Sequence, residues 1–183
     1  MASVVKSFCA IGPECSGKTS LCVELVAKSE STFVHEYARE FLDQIKRPYE
    51  EADLVSIART HFSRTQRLIN ESPFDTVVHL GVFPWVFIDT DLTVIKIWSL
   101  EKYGRVDPKI LELLEEERYD LYFLCRPDLP WVQDGMRENP NDRDRLFTLY
   151  EKELVDAGKR YVIIEGEGEE RMSKARKAMN IVT

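Results

Sequence analysis

The sequence has no long basic stretch and no long hydrophobic stretch, and these absences argue against two broad classes of protein. Its 183 residues carry 25 Lys and Arg against 32 Asp and Glu, a formal charge of −7, so a protein that binds nucleic acid through a basic surface is disfavoured. No run approaches the roughly 18 apolar residues that a membrane-spanning helix needs. The first ten residues do not fit a signal peptide. We therefore expect a soluble, cytoplasmic protein without a nucleic-acid or membrane partner.

Cysteine is scarce, and linker-like sequence is absent. The four cysteines have neither the paired spacing of metal ligands nor the pattern of a disulfide framework, which predicts reduced thiols. No internal repeat, low-complexity tract or Gly/Ser linker divides the chain. A chain of this length is about the size of one domain, and we expect residues 1–183 to form a single domain.

The fold is predicted from the alternation of two hydrophobic periods. Short, nearly continuous apolar runs occur at 4–10, 32–35, 82–88, 121–125 and 161–164. Between them lie helical patterns, the clearest from Leu54 to Ile69, and Asp91 and Asp107 fit the N-cap positions of two helices. Apolar strands that alternate with helices predict a five-stranded parallel sheet buried on both faces, in a three-layer α/β sandwich. Ligands of such a sheet bind at the carboxyl ends of its strands.

The strongest motif follows the first predicted strand. Residues 12–19, G-P-E-C-S-G-K-T, match the Walker A pattern G-x-x-x-x-G-K-[ST] and lead directly into a helix. Backbone N–H groups of such a P-loop surround phosphate oxygens, the Lys holds the β and γ phosphates, and the Thr hydroxyl binds Mg²⁺. We therefore predict ATP and Mg²⁺ as cofactors. The residues predicted to bind them are Gly12, Glu14, Cys15, Ser16, Gly17, Lys18, Thr19 and Ser20.

Carboxylates follow two of the predicted strands. Asp89 comes after the run 82–88, where it can reach the metal or act as a base, and Thr19 and Asp89 are the predicted metal ligands. Glu36 follows the run 32–35 and is a candidate to bind or deprotonate the acceptor hydroxyl, so the base is either Glu36 or Asp89. Beside it, Tyr37 could stack on a ring and Arg39 could hold a phosphate.

The segment 126–145 is predicted to be irregular and to form a lid, because it is rich in Pro, Gly and charged residues. Arginines on a closing lid can neutralise the charge that develops on a transferred phosphoryl group. Arg126 and Arg137 are predicted to do this. Arg143 and Arg145 are expected to be solvated and paired with nearby carboxylates.

Several of these segments together resemble the ribosylnicotinamide kinase domain of the bacterial multifunctional NAD-salvage regulators. They are G-P-E-C-S-G-K-T-S, H-E-Y-A-R-E, F-I-D-T-D and P-D-L-P-W-V-Q-D-G-M-R. The resemblance implies a fold similar to nucleoside and nucleotide kinases with a mobile lid. It also implies transfer of the ATP γ-phosphate to the 5′-hydroxyl of nicotinamide riboside, which gives nicotinamide mononucleotide.

The resemblance also implies roles for individual residues. It places Lys18 and Thr19 on Mg-ATP, Asp89 at the metal and Glu36 with Tyr37 near the riboside, and it makes Arg126 and Arg137 the lid arginines. Further candidate acceptor contacts are Trp98, Asp128 and Trp131. One departure is His35, which stands where family members often have a Trp that could stack on nicotinamide. Since the chain starts at the kinase strand, neither adenylylation nor repression is expected of it.

Two other functions remain open on the sequence. The same chemistry could serve a deoxynucleoside or a nucleoside monophosphate, although a phosphorylated acceptor calls for extra arginines and Arg39 is the only obvious one beside Glu36. The second alternative function is a regulatory switch that binds ATP and hydrolyses it slowly. The sequence does not predict an oligomeric state.

Overall fold

The computed structural model describes residues 5–29, 31–71, 85–135, 137 and 139–182. Within these ranges five strands and seven helices follow one another. The strands are β1 (Lys6–Ile11), β2 (Thr32–Val34), β3 (Trp85–Asp89), β4 (Leu121–Cys125) and β5 (Tyr161–Ile164). The helices are α1 (Lys18–Ala27), α2 (Tyr37–Ile45), α3 (Glu51–Glu71), α4 (Leu92–Tyr103), α5 (Pro108–Glu116), α6 (Arg143–Asp156) and α7 (Glu169–Val182). No helix in these ranges has the length and apolar character needed to cross a membrane.

The strands form one parallel sheet in the order β2-β3-β1-β4-β5. The predicted five-stranded parallel sheet is therefore confirmed. In the register of the two central strands, Ala10 lies opposite Asp89, and the Thr90 N–H donates to the Ala10 carbonyl at 3.0 Å. This pairing brings the end of β3 beside the loop that follows β1.

Both faces of the sheet are covered, as a three-layer sandwich requires. On one face Phe8 stacks between Phe87 and Phe123, with ring centroids 5.4 and 5.9 Å apart, in a cluster with residues of α1 and α7. The opposite face carries Cys9 and Ile88 against residues of α4 and α6. Successive strand residues point to opposite faces, so apolar side chains at nearly every position are what a sheet buried on both sides needs.

The predicted boundaries agree closely with the observed ones. β4 and β5 match the predicted runs, and β1 ends one residue later than predicted because Ile11 still pairs with Leu124. Residue 4 of its predicted run lies outside the described residues. β3 begins at Trp85, and residues 82–84 of the predicted run lie outside the described residues. The two predicted caps are present: Asp91 accepts from the Val94 N–H and Asp107 from the Lys109 N–H.

The chain between β4 and α6 is irregular over its described residues, as predicted. The irregular part is shorter than the predicted 126–145, because α6 begins at Arg143 and residues 143–145 form its first turn. We call the part from 126 to 142 the irregular segment. It lies at the carboxyl edge of the sheet, next to the loop after β1.

Candidate active site

A cavity of about 950 Å³ opens at the carboxyl edge of the sheet, a volume at the upper end of those that hold small ligands. Residues 12–20 line one part of it, and Glu36, just before α2, and Arg39, in the first turn of α2, line another. The remaining wall includes Tyr49, Trp98 and Lys102. The phosphate loop and three of the predicted acceptor residues, Glu36, Arg39 and Trp98, thus open into the same space.

The phosphate loop depends on two glycines with positive φ. Gly12 has φ 140°, and a Cβ there would lie 2.5 Å from the Cys125 carbonyl oxygen. Gly17 has φ 79°, and a Cβ there would lie 2.8 Å from the guanidinium of Arg171. A Cβ at either position would strain the loop or force its neighbours to move. The motif glycines are therefore required by the backbone conformation and by close neighbours.

Lys18 is held by the loop that precedes it. Its ammonium donates to the carbonyl oxygens of Gly12 and Pro13, both at 2.9 Å. Ser16 also donates to Pro13, at 2.8 Å. The cation is thus already at the phosphate loop, bonded to groups that it can leave when an anion enters.

Asp89 is buried directly behind Thr19. The Thr19 hydroxyl donates to Asp89 Oδ2 at 2.5 Å, while Asp89 Oδ1 is buried and has no hydrogen-bond partner within the described part of the chain. Burial raises the pKa of Asp89 to about 6, against the lowering effect of the Lys18 charge. A buried, unsatisfied carboxylate oxygen beside a hydroxyl is a donor set that suits Mg²⁺, a hard cation that takes oxygen ligands.

The turn after β3 is strained and held by buried polar groups. Thr90 has φ 78°, in the left-handed region. Its carbonyl oxygen lies 2.8 Å from His61 Nε2, and the N–H of Leu92, two residues further on, donates to the Glu117 carboxylate at 3.1 Å. Burial, and secondarily the charge of Asp91, raise the pKa of Glu117 to about 8. These contacts hold the turn and thereby position Asp89.

Glu36, Arg39 and Arg137 meet through one carboxylate of the irregular segment. Arg39 pairs with Glu36 at 3.3 Å and with Asp134 at 2.9 Å. Arg137 pairs with the same Asp134 oxygen at 3.0 Å. All three of the predicted residues line the cavity, so the structure brings together a carboxylate and two guanidinium groups next to the phosphate loop.

The irregular segment also contacts the phosphate loop directly. The Val132 N–H donates to Cys15 Sγ at 3.3 Å, and the thiol donates to the Val132 carbonyl at 3.4 Å. The Glu14 carboxylate accepts from the Asn139 N–H at 3.0 Å. Glu14 and Cys15 therefore use their side chains to hold the segment.

Besides Asp89, which lies behind Thr19, four predicted site residues do not line the cavity. The ring of Tyr37 lies beneath the Arg64 guanidinium, 4.3 Å from its centroid, and Trp131 donates its indole N–H to Gln133. The other two are Arg126, which pairs with Glu165 at 3.0 Å, and Asp128, which accepts from Arg171 at 2.6 Å. The structure does not bring these side chains together with Glu36.

Arg143 is a correction to the sequence analysis, which expected it to be solvated. Its guanidinium donates to the Leu129 carbonyl at 2.9 Å and reaches the Cys15 carbonyl at 3.5 Å. As the first residue of α6 it lies beside the irregular segment, which explains the contact. Arg145, two residues further along α6, is half exposed and pairs with Asp142 and Glu101, as expected.

Arg171 is a buried residue of the site that the sequence did not single out. Its side chain is 6% exposed, and it donates to the Ser16, Arg126 and Gly166 carbonyls as well as to Asp128. One guanidinium therefore joins the phosphate loop, the start of the irregular segment and the loop after β5. Five donors in a planar fork make Arg suited to this.

Tyr49 and Lys102 were also missed. Trp98, which was predicted, donates its indole N–H to the Tyr49 hydroxyl at 2.7 Å, and the two rings are edge to face with centroids 4.8 Å apart. The Lys102 ammonium lies 3.3 Å from the Tyr49 ring centroid. Together these three residues form an aromatic wall with a cation, which we call the Tyr49 wall.

The resemblance stated from the sequence is confirmed by comparison with known proteins. The model of a family described as AAA domain matches residues 7–171. The trifunctional NAD biosynthesis/regulator protein NadR of Escherichia coli (strain K12) is 26% identical over 171 residues, covering 89% of this chain and 39% of that protein. The NadR protein of Salmonella typhimurium (strain LT2) is 26% identical over 147 residues, covering 77% of this chain and 33% of its own length. The chain thus spans well under half the length of these curated relatives.

Solved structures show the same fold. A crystal structure of NadR protein in complex with NR superposes with a TM-score of 0.79 at 23% identity, covering 98% of this chain and 52% of that one. Thymidylate kinase from Ehrlichia chaffeensis superposes with a TM-score of 0.59 at 14% identity, covering 98% of this chain and all of its own. The predicted likeness to nucleoside and nucleotide kinases is therefore confirmed at the level of the fold.

Proposed function

The chain belongs to the AAA domain family, and from this premise we propose that it is a kinase that transfers the ATP γ-phosphate to the 5′-hydroxyl of nicotinamide riboside. The observation that carries the proposal is that Lys18, Thr19 and Glu36 line one cavity, with Asp89 bonded to Thr19 behind it. This arrangement supports a phosphate site, a metal site and a base around the same space. Phosphoryl transfer is catalysed mainly by positioning the reactants and stabilising their charge, and these groups are arranged to do both.

The nucleotide binds at the phosphate loop. When the phosphates enter, the Lys18 ammonium leaves the Gly12 and Pro13 carbonyls and bonds to the β and γ phosphate oxygens. The N-terminus of α1 contributes its backbone N–H groups and the positive end of its dipole. Thr19 and Asp89 would hold Mg²⁺, which when bound neutralises charge on the phosphate oxygens. Because ATP is the donor, we expect the reaction to take place in the cytoplasm.

Glu36 is the better candidate for the base. Its side chain is 23% exposed and faces the cavity, whereas Asp89 is buried and already accepts the Thr19 hydrogen bond. Glu36 therefore binds the acceptor hydroxyl and takes its proton as the new P–O bond forms. Arg39 and Arg137, released from Asp134, would stabilise charge on the transferred phosphoryl group.

The irregular segment would act as the lid of this single kinase domain. Its contacts to Cys15 and Glu14 hold it against the phosphate loop, and closing it over the substrates would keep water from the γ-phosphate. Arg137 is carried by the segment into the cavity. Arg126 lies at the start of the segment and pairs with Glu165. It would have to break this ion pair to stabilise charge on the transferred phosphoryl group.

A nucleoside monophosphate is the second candidate acceptor, favoured by one observation. Arg47 lines the same cavity as Arg39, which supplies the additional arginine that a phosphorylated acceptor would require. However, Arg47 is bound by Asp53 through two hydrogen bonds, at 2.7 and 2.9 Å. Its guanidinium is therefore committed to a carboxylate, and the riboside remains the preferred acceptor.

The test is an acceptor panel with Mg-ATP, read by mass spectrometry. Nicotinamide riboside, common deoxynucleosides and nucleoside monophosphates are compared at equal concentration. We expect nicotinamide mononucleotide to form fastest. Faster phosphorylation of another acceptor would support the kinase activity but rule out nicotinamide riboside as the preferred substrate. Formation of ADP without any phosphorylated product would contradict the kinase activity.

A further inference from the structure

The Tyr49 wall contains a cation for which the described part of the chain supplies no anionic partner. Lys102 lines the cavity and rests on the Tyr49 ring at 3.3 Å, and no carboxylate of the described residues lies within ion-pair distance of it. The other cationic side chains that line the cavity are engaged: Arg39 and Arg137 by Asp134, Arg47 by Asp53, and Lys18 by two backbone carbonyls. Lys102 is therefore available to an anionic group of a ligand.

The aromatic surface beneath Lys102 is fixed in place. The Tyr49 hydroxyl accepts from Trp98 at 2.7 Å, and its backbone carbonyl accepts from the Tyr103 hydroxyl at 3.4 Å. A ring held at both ends keeps a constant position, and the Lys102 ammonium lies over its face, 3.3 Å from the centroid. This ammonium also lines the cavity, where it can pair with a carboxylate carried by the heterocycle of an acceptor.

We propose that Lys102 is a specificity-determining residue that reads the substituent on the acceptor's pyridinium ring and allows a pyridine-3-carboxylate riboside to be used alongside the carboxamide. This inference rests on the proposed function. The reaction is unchanged: the acceptor 5′-oxygen forms a bond to the γ-phosphorus, the bond from that phosphorus to the bridging oxygen breaks, ADP leaves, and the hydroxyl proton passes to Glu36. Only recognition of the ring depends on Lys102.

The charge balance of the cavity supports this assignment. A pyridinium riboside is cationic, so an unpaired Lys102 opposes the carboxamide form. In the carboxylate form the added negative charge pairs with Lys102 and removes the repulsion. Because Lys102 is exposed, the gain is that of a surface ion pair, up to about fivefold in kcat/KM.

The experiment compares the two ribosides, nicotinic acid riboside and nicotinamide riboside, with Mg-ATP. We expect the wild-type protein to phosphorylate both. Lys102→Met should lower kcat/KM for the carboxylate by about fivefold and leave the carboxamide within about twofold, and Lys102→Arg should retain the wild-type ratio. Lys109→Met is the matched control, because Lys109 is exposed, pairs with Glu112 and lies outside the cavity lining.

The outcomes separate this inference from the proposed function. If the wild type uses the carboxamide alone, or if Lys102→Met changes both ribosides equally, Lys102 does not read the substituent. If neither riboside is phosphorylated, the proposed function is wrong and this inference is wrong with it. A changed ratio in Lys109→Met would assign the effect to surface charge in general and overturn the role of Lys102.

Discussion

The Thr19 hydroxyl and the Asp89 carboxylate are joined by a 2.5 Å hydrogen bond across 70 positions of sequence. Parallel pairing of β1 and β3 brings them together. Asp89 is the last residue of β3, and Thr19 follows the loop after β1, at the same edge of the sheet. The contact places a hydroxyl beside a buried carboxylate whose other oxygen has no hydrogen-bond partner among the described residues. The consequences for stability and for catalysis can be tested separately.

Asp89→Asn should stabilise the free protein at high pH. The pKa of Asp89 is about 6 in the folded protein and near 3.9 in an unfolded chain, so the folded state holds the proton more tightly. The stability contributed by this carboxyl is present at low pH and is lost as the pH rises through about 6. We expect the variant to exceed the wild type by about 1–3 kcal/mol in urea unfolding at pH 8, with a smaller difference at pH 5. An equal difference at both pH values would contradict the raised pKa.

Lys18→Ala should reduce turnover by at least about 100-fold, because it removes a cation that stabilises the transferring phosphates. Lys18 is only partly buried and bonds to two backbone carbonyls of its own loop, so circular dichroism and the unfolding midpoint should change little. Lys28→Ala is the control: Lys28 ends the same helix, is half exposed and pairs with Glu169. Near-normal turnover of Lys18→Ala would refute the phosphate site.

Glu36→Gln should lower kcat by about 100-fold and leave the KM for ATP nearly unchanged, since it removes a base while retaining the shape of the side chain. Steady-state kinetics with the acceptor in excess measure both constants. Glu40→Gln serves as a control, because Glu40 lies on the same helix but pairs with Arg64 on the surface. The reverse pattern, a raised KM with kcat retained, would assign Glu36 to nucleotide binding.

Arg171→Ala should weaken both the fold and nucleotide binding. The substitution leaves several buried carbonyl oxygens and Asp128 without their donor, at a cost of about 2–4 kcal/mol. Because Ser16 belongs to the phosphate loop, the KM for ATP should rise as well. Urea unfolding and ATP titration distinguish the two effects. Arg176→Ala is the control on the same helix, because Arg176 pairs with Glu169 at the surface; it should change neither stability nor the KM for ATP. Normal ATP affinity in Arg171→Ala would show that Arg171 has only a structural role.

Much of the fold was predictable because the strands are buried on both faces. Such strands read as continuous apolar runs, and the bounds of β4 and β5 were predicted to the residue. The phosphate loop was predictable for a different reason, since its function fixes both residue type and spacing within eight positions. The later end of β1 arises from pairing with β4, which no local pattern records.

The rest of the site depends on contacts that are distant in sequence. Arg171 reaches Ser16 across 155 positions. The preceding residues, 165–170, are all Gly or Glu and suggest a loop rather than a buried anchor. Arg143 lies in a run of charged residues typical of a solvated surface, yet it binds the Leu129 carbonyl. Tyr37 follows Glu36 directly, but the α2 helix turns its ring toward Arg64. In each case the tertiary fold, rather than the local sequence, determines where the side chain points.

The two carbonyl contacts of Lys18 have a consequence for how tightly a nucleotide is retained. An incoming phosphate does not meet a bare cation; it must displace Gly12 and Pro13 from the ammonium, so hydrogen bonds are exchanged rather than added. The loop can take the ammonium back when ADP departs, which lowers the barrier to dissociation. A loop that satisfies its own lysine thus favours repeated cycles of use over prolonged occupancy.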